Sequence, residues 1–253
     1  MSTSRLPIGL QLYTVRDALA ADFAGTIKKV AEIGFAGVEL AGHGDLSVAE
    51  LKRLLDDNNL KVAGSHIGID QLENDIARVI DENLTLANQY IVIPWIGEDR
   101  RQGADGYRKL GETFNALGET LRSSGLTLAY HNHAFEFEKQ DGEYGLDILY
   151  ASSDPQLVKA EIDTYWVLTG GEDPVAYVSK YSGRVPLMHL KDRDPSDGFF
   201  AEVGTGDLPV DGLVEAANNI GTEWLLVEQD SCRRDPMESI SISFANLKAR
   251  GYV

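Results

Sequence analysis

Four positions in the second half of the chain carry side chains that bind divalent metals. They are His131 in "LTLAYHNHAFEFE", Asp163 in "VKAEID", His189 in "VPLMHLK" and Glu228 in "EWLLVEQ". Imidazole mixed with carboxylate suits Mn²⁺, Co²⁺, Zn²⁺ or Fe²⁺, whereas all-oxygen sets suit Mg²⁺ or Ca²⁺ better. A single histidine at a strand end is ordinarily a hydrogen-bonded structural residue. Four ligand-type residues closing four consecutive apolar runs favour a shared ion instead. His131 and His133 are two residues apart, so on a strand both point to one face and could grip one ion.

These residues need a frame that brings strand ends together. Short apolar runs recur at 8–13, 37–40, 61–67, 90–95, 126–133, 158–163, 185–191 and 223–229, each of strand length and apolar enough for a buried parallel strand. Amphipathic segments separate them. Phe23, Ile27, Val30 and Ile33 keep a helical period that stops at Gly34. Ser47 followed by Glu50 is a capping-box pattern. Segments 72–89, 107–125, 173–183, 209–221 and 236–251 read as further helices, and 143–156 as a helix in the fifth connection. Gly125, Gly183, Gly221 and Gly251 stand where helices should end. Strand–helix alternation repeated eight times predicts a single-domain (β/α)₈ TIM barrel over residues 1–253. A doubly wound open sheet is the alternative, but the first strand runs into "LQLYTVRD" without a glycine-rich phosphate loop.

In such a barrel, chemistry gathers where the strands end. Those ends supply Gln11, Tyr13, Glu39, His66, Trp95, Glu98, His131, His133, Glu136, Asp163, His189, Lys191, Asp192, Glu228 and Asp230. Some of this polarity is trivial, because every strand must run into a loop. The Gly-x-Gly of "VGTGDLP" reads as a tight turn, not a phosphate loop, because no nucleotide-type strand turn precedes it.

Composition removes several classes. The 253 residues carry a formal net charge of −17, a poor match for nucleic acid or an anionic membrane. The lone Cys232 excludes an internal disulfide. The opening "MSTSRLPIGLQLYT" has no long apolar core, and no apolar run is long enough to span a bilayer, so a cytoplasmic protein is expected.

At these residues the chain resembles the sugar phosphate isomerase/epimerase superfamily, the xylose-isomerase-like barrels. The resemblance rests on "IGLQLYTVRD", "GLTLAYHNHAFEFE", "AEIDTYW", "LMHLKD" and the stretch from "FFAEVGTGDLP" to "EWLLVEQD". It implies a divalent metal ion (Mn, Co, Zn, Fe or Mg) held by His131, Asp163, His189 and Glu228. Two positions depart from the family pattern. His131 stands where relatives place a glutamate, and Trp166 stands where they place a histidine. The His-x-His form resembles the inosose dehydratase branch and the branch acting on 3-keto sugars.

The implied activity is a sugar or sugar phosphate isomerase or epimerase that removes a proton next to a carbonyl through a metal-stabilised enediolate. A lyase or dehydratase acting on an inosose or 3-keto glycoside is the alternative. Glu228 is the expected base or acid, with His131 its partner. Lys191 and His133 would polarise substrate oxygens. Tyr13, His66 and Trp95 would line the pocket, and Glu136 would offer a replacement carboxylate. The expected partner is a carbohydrate or cyclitol, with a homo-oligomer left open. A non-catalytic sugar-binding barrel and an endonuclease-type hydrolase are the rivals; the latter needs more ligands and a basic face.

Overall fold

The computed structural model describes residues 5–253; the first four residues of the opening segment lie outside them. Eight parallel strands close into a barrel. They are β1 Ile8–Gln11, β2 Gly37–Leu40, β3 Lys61–His66, β4 Tyr90–Ile93, β5 Thr127–His131, β6 Val158–Asp163, β7 Leu187–Leu190 and β8 Trp224–Val227. Each strand pairs with its neighbour in chain order, and β8 closes on β1 with Leu10 opposite Val227. Six of the eight strands are shorter than the apolar runs that announced them. The residues left out flank the ladder at both ends; those after the strands, such as Tyr13, Trp95, His133 and Lys191, lead into the loops of the mouth.

The helices form for the reasons their sequences give. Asp22 caps the helix Phe23–Ile33, which stops at Gly34 with φ of 118°. Ser47 and Glu50 exchange both bonds of a capping box at the start of Val48–Asp57. The fifth connection holds the helix Gly145–Ala151, preceded by a short ribbon pairing Lys139–Gln140 with Glu143–Tyr144. A second ribbon pairs Asp192–Arg193 with Phe200–Ala201 in the loop after β7. Sequence periodicity missed both ribbons, because two-residue strands are too short to show a period. Among the described residues, no helix is long and apolar enough to cross a membrane.

Alternation inside the barrel places the chemistry. Along β5 to β8, side chains two residues apart share a face. Ala129, Leu187 and Leu226 pack with Ala63, Tyr90 and Val92 as an apolar plug inside the barrel. One step further along the same strands come His131, His189 and Glu228. On β6 both steps are acidic, Glu161 and then Asp163. The register between β2 and β3 shifts at Val38/Glu39, setting Gly64 opposite Glu39. A Cβ on Gly64 would lie 2.7 Å from Glu39 Oε1, so the glycine makes room for that carboxylate.

Candidate metal centre and substrate pocket

Strands β5 to β8 bring His131, Asp163, His189 and Glu228 together. One donor atom from each lies within 4.8 Å of all the others, and all four residues are buried. His131 Nε2 is 3.2 Å from Asp163 Oδ2, and His189 Nδ1 is 2.9 Å from Glu228 Oε2. A second set shares His189. Its Nε2 lies 2.7 Å from Glu39 Oε2 and 3.1 Å from Glu161 Oε1. His66 Nε2 completes this inner set, 2.8 Å from Glu161 Oε1 and 3.3 Å from Glu39 Oε2.

Both nitrogens of His189 therefore face carboxylates. A neutral ring carries one N–H, so one nitrogen must present a bare lone pair unless a second proton or a cation intervenes. Without a cation, protons fill that role. Burial disfavours charge on His189, but Glu161 and Glu39 outweigh it and hold its pKa well above the ordinary imidazole value. His66 is likewise opposed by burial yet pushed up to about 10 by Glu39 and Glu161. A divalent ion in the outer set would take the place of such a proton. His131 is already prepared, since its Nδ1 lies 3.3 Å from the Pro94 carbonyl and leaves Nε2 toward the set. The donors thus fit an ion of the Mn, Zn, Co or Fe type.

Lys191, two residues beyond His189, also meets the outer set. Its buried ammonium lies 2.9 Å from Asp163 Oδ2, 2.7 Å from Glu228 Oε2 and 2.9 Å from Asp230 Oδ1. Burial opposes charge on both carboxyls, but Lys191 holds Asp163 and Glu228 well below the usual carboxylate range. Asp230 is raised, chiefly by burial.

Above the sets opens a cleft of about 450 Å³ lined by Tyr13, Ala41, His66, Pro94, Trp95, His131, His133, Glu228 and Asp230. The structure thus gathers Tyr13, His66, Trp95, His131, His133 and Glu228 in one cleft, as their positions suggested. Trp95 is 54% exposed and Tyr13 44% exposed, flat apolar faces at the rim. His133 is neutral: burial lowers its pKa to about 3, with help from the His131 and Lys191 charges. Asp163, His189 and Lys191 lie beneath the cleft rather than on its wall.

Two residues of the strand-end group turn elsewhere. Glu136 is fully buried, bonded to the Tyr130 hydroxyl and to the His133 amide at 2.8 Å. It braces the loop after β5 and is not on the cleft wall. Burial pushes its pKa up to about 8 against those bonds. Asp192 turns into the loop after β7. Its carboxylate accepts the amides of Gly204, Gly206, Leu208 and Arg193. The Gly-x-Gly loop is therefore a nest already filled by the chain's own anion.

Glu161 was missed by sequence reasoning. Its signal was "AEID", two acids spaced by two on one strand, which places both on the barrel's inner face.

A closed parallel barrel with imidazole and carboxylate donors at its strand ends is a TIM barrel with a metal-type mouth. The chain belongs to the xylose isomerase-like TIM barrel family, which matches residues 27–249. It is 24% identical to the inosose dehydratase of Clostridium beijerinckii, over 91% of this chain and 88% of that one. Its fold is similar to a sugar phosphate isomerase/epimerase from Parabacteroides distasonis, with TM-score 0.86 and 25% identity over 100% and 96% of the two chains. The 3-keto-D-glucoside 4-epimerase of E. coli has TM-score 0.74 at 17% identity, over 96% and 99%.

Proposed function

We propose that this chain removes the proton next to the ketone of a neutral sugar or cyclitol and expels the neighbouring hydroxyl, a metal-dependent dehydratase-type reaction. One observation carries the reading. A single cleft, lined by Glu228, Asp230 and three histidines and by no lysine or arginine, opens above a four-donor set. A cleft without cationic side chains favours a substrate without phosphate.

His131, Asp163, His189 and Glu228 would hold the ion, which supplies Lewis acidity at the substrate carbonyl. The protein's own groups move the protons. Glu228 Oε2 is held by His189 and Lys191, while Oε1 has no hydrogen-bond partner among the described residues and is placed to accept the proton. Asp230, two residues further along the chain and on the same cleft wall with its carboxyl raised by burial, would deliver a proton to the leaving hydroxyl. Neutral His133 orients a substrate oxygen, and Trp95 covers the ring.

Isomerisation is the second reading, favoured by the same two carboxylates: a proton returned to the adjacent carbon instead of the hydroxyl gives an isomer. The inosose dehydratase relatives favour elimination. The test incubates Mn²⁺-loaded protein in deuterated water with inososes, ketoses and 3-keto glycosides. An unsaturated or dicarbonyl product supports elimination, a deuterated isomer supports the second reading, and no exchange across the panel overturns both.

A further inference from the structure

The inner set packs two carboxylates, Glu39 and Glu161, against the imidazoles of His66 and of His189, which the outer set shares. Both carboxylates are fully buried and face these rings. Each carboxylate also keeps one buried oxygen without any hydrogen-bond partner, Glu39 Oε1 and Glu161 Oε2. The oxygens that face the two rings are the other pair, Glu39 Oε2 and Glu161 Oε1, and two buried carboxylates this close are costly unless cationic charge compensates them.

Their arrangement is that of a ligand set. The four inner donors alternate nitrogen and oxygen around a ring whose edges measure 2.7, 2.8, 3.1 and 3.3 Å. The centre of such a ring lies about 2 Å from each corner, the length of a metal–imidazole or metal–carboxylate bond. Supporting contacts are present as well. Gln11 Nε2 donates to Glu39 Oε2 at 2.8 Å, and Gly64 leaves space for the same carboxylate. The His66 and His189 rings stack in parallel, 5° apart. An entry path exists, because His66 also lines the cleft.

We propose that the inner set, Glu39, His66, Glu161 and His189, holds a second divalent cation beneath the first. The two carboxylates balance its charge. His189 would offer Nδ1 to the outer ion and Nε2 to the inner one, and the protons on His189 and on His66 Nε2 would pass to bulk water. The donor chemistry selects Zn²⁺, Mn²⁺ or Co²⁺ over Mg²⁺ or Ca²⁺. This inference rests on the cage alone and stands whatever reaction the cleft performs.

The test counts metal. The full-length protein is stripped with chelator, reloaded with Mn²⁺ and freed of excess. Two ions per chain are expected in the native protein, one in Glu161→Gln and one in His131→Ala. Electron paramagnetic resonance should show coupled manganese in the native protein only. His66→Asn is the second inner variant, used if Glu161→Gln fails to fold by circular dichroism. A native count of one that survives His131→Ala and is lost in Glu161→Gln supports the inner site and removes the outer ion from the proposed reaction. Inner variants that keep the native count overturn the inference, as does a native protein that binds no ion.

Discussion

The two ends of this barrel invite opposite conclusions. The end where the strands begin has the larger cleft, about 520 Å³, lined by Pro7, Lys52, Asp56, Lys61, Tyr90, Glu223 and Trp224 among others. The end where they finish has about 450 Å³. Volume alone would favour the end where the strands begin. The larger cleft contains no histidine, whereas four of the chain's five, His66, His131, His133 and His189, gather within ring-contact distance at the other end. The strand-start end is packed for closure: a Cβ on Gly37 would lie 2.5 Å from the Lys61 carbonyl and 2.8 Å from the Trp224 ring. One end holds the barrel shut, and the other keeps polar groups buried at a cost that packing does not explain.

Substitutions at the two ends should separate activity from stability. The largest effect is expected from Glu228→Gln, which removes the proposed proton acceptor. Turnover per folded molecule should fall about 10²–10⁴-fold, and the lost pairing with Lys191 and His189 should also lower the thermal midpoint. A variant with near-native turnover would remove Glu228 from the chemistry. Gly37→Ala should act on stability alone. Crowding against Lys61 and Trp224 should cost about 1–3 kcal/mol in denaturant melts, with turnover per folded molecule unchanged. Lost turnover with intact stability would break the contrast.

Much of this division was legible in the sequence. The eight apolar runs located every barrel strand, because a buried parallel strand must be nearly all apolar. Its four ligand-type residues landed in one set, because strand ends converge on one mouth whatever the loops do. Direction was less legible. Asp192 and Glu136 looked like mouth residues by position, yet one turns into the following loop and the other into the core. Asp192 is fixed by backbone amides 12 to 16 residues on, and Glu136 by the His133 amide and the Tyr130 hydroxyl, contacts that no strand or helix period encodes. Glu161 was hidden for a related reason: in a strand read as buried, an inward acid looks like an error until a histidine from β3 is seen to meet it.

Glu136 blurs the contrast, since it sits at the mouth but acts on stability. It titrates near 4.5 in an unfolded chain and at about 8 when folded. The folded state therefore holds the extra proton. The stability this gives is fully present below about 4.5, shrinks as pH rises, and is gone above about 8, by about 1.4 kcal/mol per pH unit at most. Glu136→Gln should flatten the fall in thermal midpoint between pH 5 and pH 8; an unchanged slope would assign that fall to other groups. The smallest effect is expected from Trp95→Ala. Losing an exposed face at the rim should raise KM several-fold, on the order of 1 kcal/mol, with kcat and stability little changed. An equal loss in kcat would move Trp95 from covering the ring to setting its reactive pose.

The carboxylate of Asp192 has a wider meaning. Tethered among the amides of Gly204, Gly206 and Leu208, it acts as a built-in competitor at very high effective concentration. A free phosphate arriving from solution would have to evict an anion that never diffuses away. This loop cannot become a phosphate grip by gaining a nearby lysine; it must first give up its own acid. Position 192 thus decides whether this loop's amides are free for any other anion.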